Sequence, residues 1–176
     1  MKPFEEKIKN DLYNCLLSLG EVGEVLPETP DLDDKWQPVA ESYLPDGIRE
    51  FAKYPKVSLG WMMYVGMALA KFWDEDWGLF SNIDDIYMYM RDKRGFDCMD
   101  EYIREVVLGL KDEAYDKTEQ LVQMCAHRVY HLLHNEGFEP GTEAAFRGYV
   151  ACIHQLYLMG AAVQFHRMGY KMVGVK

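Results

Sequence analysis

The segment His127-Arg-Val-Tyr-His131-Leu-Leu-His134 sets three imidazoles four and three residues apart. On a helix those positions share one face, and neutral imidazole is a good ligand for zinc, nickel or iron. The chemistry such a set could carry is that of a metal-dependent hydrolase or oxygenase, completed by a carboxylate from a neighbouring helix. The rest of the helix argues against a closed site. At roughly 100° per residue, Thr118, Leu121, Val122, Cys125, Val129, Leu132 and Leu133 form its apolar face. His127, His131 and His134 point away from that face, in line with Asp116, Gln120 and Gln123. Catalytic metals in bundles sit in the core, held from several helices. No Glu-x-x-His or His-Glu-x-x-His pair occurs, and no histidine precedes His127. The stripe therefore reads as a solvated or interface surface that binds metal weakly.

His154 is a second candidate. It sits midway along a strongly apolar segment in which Gln155 is the only other polar residue between Arg147 and Gln164. A buried imidazole needs partners for both ring nitrogens. That placement suits a heme or other apolar-ligand contact, and equally a structural histidine bonded to a carbonyl or a tyrosine. A third candidate is Trp73-Asp-Glu-Asp-Trp77, where acids collect at the carboxyl end of an apolar helix and oppose its dipole. Asp74, Asp76 and Trp77 are then candidate contacts for a cation or a basic partner. The ordinary alternative has Asp76 capping a following turn while the tryptophans cover the bundle's end.

Other chemistries find no support. There is no glycine-rich phosphate loop, no Gly-x-Ser-x-Gly elbow and no kinase signature. Cys15, Cys98, Cys125 and Cys152 lie far apart, with no pair at metal or redox spacing. Isolated cysteines suit a reducing cytosol, and acids occupy the first residues where a signal peptide needs apolar ones. The expected location is cytoplasmic.

Helices must position these groups. Apolar residues at Phe4, Ile8, Leu12, Cys15, Leu16 and Leu19 mark one helix face, closed by Gly20. An acidic loop, free to move, is expected over 21–35, carrying Glu21, Glu24, Glu28, Asp31, Asp33 and Asp34. Two short helices are expected next, one after Pro38 and one from Pro45 to Tyr54, each proline suiting a first turn. Pro55 opens a long apolar helix through Trp73. Ser81 and Asp84 start a helix ending near Gly95, and Asp97 caps another with Met99, Tyr102, Ile103, Val106, Val107 and Leu110 inside. A helix from Asp112 to Gly137 and a last one capped by Thr142 complete the chain. No stretch alternates with period two. The fold expected is an all-α antiparallel bundle of about four long helices plus two or three short ones, in a single domain.

Within 176 residues, 29 acidic side chains outweigh 19 basic ones, for a net charge of −10. That balance opposes binding to nucleic acid or to an anionic membrane. The apolar run from Val57 to Ala70 falls short of the roughly 20 residues that span a bilayer. Tyr87-Met-Tyr-Met90 places large side chains on several sides of one short helix. Tyrosine and methionine are enriched at interfaces. The leading expectation is a non-enzymatic bundle acting through protein contacts, with self-association.

Overall fold

Burial of Phe4, Ile8, Leu12 and Leu16 along one stripe makes α1 (Lys2–Ser18) the amphipathic helix its spacing predicts. The computed structural model describes residues 1–170. The acidic connector is shorter than expected, because α2 (Pro30–Lys53) begins within it. Pro38 and Pro45 do not open two helices; both lie inside α2. Each proline removes a backbone donor, so the carbonyls of Asp34 and Glu41 lose their helical partners. All four residues are exposed, and water can take over those carbonyls. On the opposite side Leu32, Val39, Tyr43 and Gly47 bury one continuous face that holds the helix together.

α3 (Pro55–Phe80) is buried on nearly every side from Ser58 to Ala70 and bends at Asp76, whose φ of −165° and ψ of 80° leave the helical region. α4 (Ile86–Arg94) is capped by Asp85, which accepts from the Met88 amide at 3.0 Å, rather than by Ser81 and Asp84. Tyr87 and Met90 are fully buried, so they are core residues and lend nothing to an exposed interface. A 3₁₀ turn (Phe96–Cys98), the short α5 (Met99–Tyr102) and a π turn (Ile103–Val107) follow in place of the single helix expected. The Leu108 amide donates to the Ile103 carbonyl, five residues back. That wider turn rotates the later side chains by about one position relative to an α-helix. Arg104 is consequently turned inside at 1% exposure, while Val106 is turned out at 57%. α6 (Asp112–Glu136) ends at the left-handed Gly137, and α7 (Glu143–Arg167) is capped by Thr142 accepting from the Ala145 amide.

The long helices alternate in direction. Lys7 meets Glu136 and Asp11 meets Arg128, so α1 and α6 are antiparallel. The Tyr157 hydroxyl reaches the Leu32 carbonyl while Phe51 packs on Tyr149, so α2 and α7 are antiparallel. Alternation through five long helices makes α3 and α7 parallel: Ser58 meets Tyr149 and Trp73 meets Phe165. These two form the central pair. Their backbones touch, for a Cβ at Gly66 would stand 2.0 Å from the Tyr157 carbonyl oxygen and one at Gly160 2.2 Å from that of Met63.

Gly66→Ala or Gly160→Ala should therefore cost about 3 kcal/mol in a denaturant titration, because backbone cannot yield as a side chain does. At Gly60 the nearest atom is a methyl of Val122 at 3.1 Å. Gly60→Ala should stay within about 1 kcal/mol of the parent, since helix propensity offsets the small shift. Equal losses at all three positions would contradict a backbone contact.

Candidate functional site: a groove and a cleft beside the histidine face

His127, His131 and His134 are exposed on α6, as their spacing implies, with Thr118, Leu121, Val122, Cys125 and Val129 buried on the other side. The rings of His127 and His131 stand 4.3 Å apart between centroids, and His134 stacks on Tyr130. His127 is held below the ordinary imidazole range by partial desolvation and then by Lys56 and His131. Among the described residues no three His, Cys, Asp or Glu side chains converge in a group able to hold a metal ion.

The stripe lies between two concavities. Toward the carboxyl end of α6, a groove of about 510 Å³ is walled by Ile48 and Phe51 of α2, Leu133 and His134 of α6, Phe138 of the connector that follows, and Phe146 in the first turn of α7. Its volume and apolar lining are those of ligand and side-chain pockets. Tyr149 forms its floor, with the hydroxyl 2.6 Å from Ser58 Oγ, and burial pushes that phenol well above its usual pKa. The Ser58 hydroxyl also bonds the Gly47 carbonyl, and the Ser58 carbonyl accepts from Tyr43. Glycine at position 47 leaves room for both rings, because a Cβ there would stand 2.5 Å from each tyrosine and displace them.

Toward the amino end of α6, a cleft of about 410 Å³ gathers Lys56, Trp61, Tyr64, Asp100, Glu119 and His127. Arg104 lies behind it, donating from Nη2 to Asp100 at 3.0 Å. Its Nη1 is 3.2 Å from a Glu119 oxygen, yet too poorly aligned for a hydrogen bond. The guanidinium also sits 4.0 Å over the Tyr115 ring. Burial holds the Asp100 carboxyl above the usual carboxylate range, against the pull of Arg104. Arg104 escapes sequence reasoning because the π turn carries it inward, and Asp100 and Glu119 because they meet it only through packing; the one local signal is the spacing of four between Asp100 and Arg104.

The other candidates fare differently. His154 is half-buried, stacks on Trp36 with centroids 4.5 Å apart, and has Nδ1 3.7 Å from Glu5. The apolar groove lies away from it, on α2, α6 and α7. In the Trp73–Trp77 segment each acid has a partner within the chain. Asp74 accepts from the Tyr170 hydroxyl, Glu75 lies 3.6 Å from Lys71, and Asp76 accepts from the Leu79 amide. Trp73 donates to Asp31, and Trp77 packs partly on the core. None of the described helices is long and apolar enough to cross a membrane.

No family model, curated protein or solved structure matches this chain.

Two measurements check this geometry. Elemental analysis of tag-free protein after dialysis should find well under one metal per chain, and His131→Ala should leave the thermal midpoint nearly unchanged. A retained stoichiometric metal, lost in that variant, would instead make the stripe a built site. For His154, burial lowers the imidazole pKa more than Glu5 raises it. The unfolded chain then takes up its proton near 6.5, before the native one, so stability is full above that pH and declines below it. The same protonation should quench Trp36 fluorescence with a midpoint below 6.5, and His154→Gln should remove the change. A midpoint above 6.5 would reverse the assigned cause.

Proposed function

We propose that the protein acts through contact rather than catalysis, as a homodimer joined across the α2–α6–α7 groove. One observation carries this reading. Two of the groove's own wall residues are exposed apolar side chains, Ile48 at 47% and Phe146 at 44% exposure. A two-fold interface uses one patch twice and so needs both knob and hole on the same surface. Charge supports the same occupant. Lys53 follows the groove-lining Phe51 by two residues on α2 and has no carboxylate within salt-bridge distance among the described residues. Glu139 lies between the groove-lining Phe138 and Pro140, in the connector before α7. A two-fold rotation brings the basic edge of one copy to the acidic edge of the other. This lets two chains of net charge −10 meet without local repulsion.

Light scattering at micromolar concentration should give twice the 20.5 kDa chain mass. Phe146→Asp and Ile48→Asp should each yield monomer with an unchanged far-ultraviolet spectrum. Lys53→Glu should weaken the dimer about tenfold, and adding Glu139→Lys should restore it. A parent that stays monomeric up to hundreds of micromolar sinks the reading, as does a dimer indifferent to Phe146.

A further inference from the structure

Cys15 and Cys125 stand far apart in the chain, yet the pairing of α1 with α6 sets them opposite each other. The two helices run antiparallel, and Asp11 accepts two bonds from Arg128, at 2.8 and 3.1 Å. Cys15 lies four residues on from Asp11, and Cys125 lies three residues back from Arg128. At 1.5 Å per residue the two cysteines are then level to within about 1.5 Å. The register holds on both sides of them. Lys7 meets Glu136 on one side. On the other, Arg167 bonds both Thr118 of α6 and Glu21 just beyond α1.

The faces agree as well as the levels. At roughly 100° per residue, Thr118, Cys125, Leu132 and Glu136 lie within about 40° of one another on α6. Glu136 and Thr118 mark the side turned to α1 and its end, so Cys125 points the same way. On α1, Lys7, Asp11 and Cys15 recur every four residues, and the first two are paired with α6. Electrostatics corroborates the placement. Burial pushes the Cys125 thiol up to about 12, with Cys15 the next cause, and Arg128 responds to both sulfurs. Cys125 is buried and Cys15 half-buried. Cys152 lies instead beside Glu5, ten residues before Cys15 and so about 15 Å from it along α1.

We propose that Cys15 and Cys125 are a redox-active pair, which a low-molecular-weight disulfide such as glutathione disulfide converts into a bond tying α1 to α6. The Cys15 thiolate attacks one sulfur of glutathione disulfide, whose S–S bond breaks as one glutathione leaves. Cys125 then attacks the Cys15 sulfur and expels the second glutathione. Two protein thiols are oxidised, glutathione disulfide is reduced, and the two thiol protons pass to the departing glutathiones. A disulfide needs Cα atoms within about 7 Å, which level residues on directly packed helices can meet. The bond closes a loop of about 110 residues and so restricts the unfolded chain strongly.

The test uses the full chain carrying Cys98→Ser, which removes the other half-buried thiol. Overnight exposure to millimolar glutathione disulfide should consume two of its three remaining thiols. The product should be lighter by two hydrogens, retain no glutathione, and give a peptide joining Cys15 to Cys125. Its thermal midpoint should rise by about 5 °C or more, and dithiothreitol should reverse every change. Adding Cys125→Ser should stop the reaction with one glutathione held on Cys15. Cys15→Ser, at a half-buried position where folding is not at stake, should form no link. A parent that itself stops with glutathione on Cys15 overturns the proposal. So does a link to Cys152 or between chains, and so do three thiols left untouched.

Discussion

The backbone contact between α3 and α7 at Gly66 and Gly160 sets the geometry of everything else. With no Cβ at either position, the helices approach until carbonyl oxygens of one lie where side chains of the other would stand. Close approach brings Met63, Tyr64, Met67, Leu156, Tyr157 and Val163 into one dense core. Interiors packed to that density transmit small displacements rather than absorbing them. The outer helices α1, α2 and α6 then find their places against a pair that cannot slide. The groove floor, Tyr149, lies on α7, and its bonding partner, Ser58, lies on α3. A shift along the central crossing would therefore reach the groove directly.

Buried polar groups fix the remaining freedom. Asp46, 6% exposed, accepts from the Tyr87 hydroxyl and from the guanidinium groups of Arg91 and Arg49. That arrangement ties α2 to α4 at one register. Ser58, Tyr149, Tyr43 and the Gly47 carbonyl do the same for α2, α3 and α7. Such networks specify a single packing when every member is satisfied. They also explain the many tyrosines: several are core residues whose hydroxyls find acceptors, and burial raises their pKa values accordingly.

Much of the fold was legible because helical periodicity and end signals are local. The apolar face of α6, its stop at Gly137 and the Thr142 cap all follow from residues within a few positions of one another. Where the reading went astray, a distant contact overrode a local preference. Pro38 and Pro45 suit helix starts, yet a continuous buried face carries α2 through both. The spacing of Met99 to Leu110 suits an α-helix, yet a π turn exchanges Arg104 for Val106 on the inner side. Tyr87 and Met90 resemble surplus surface until α2 is packed over them. The groove and cleft could not be read at all, since each is built by segments far apart in the chain. The exposure of the histidines was legible, because it depends on α6 alone.

Local rules are broken most often at functional sites, but a broken rule is informative only when nothing nearby compensates it. The bend at Asp76 is compensated: its own carboxylate caps the turn that follows. Arg104 is largely compensated as well, because two carboxylates and a tyrosine ring surround its charge. Even the prolines within α2 leave their orphaned carbonyls on the solvent side. Gln155 differs from all of these. Its neighbour His154, the more conspicuous residue in the sequence, has a stacking ring and a carboxylate beside it. The amide one position along has neither, and its enclosed oxygen meets no donor among the described residues. Stability alone would favour an aliphatic side chain there.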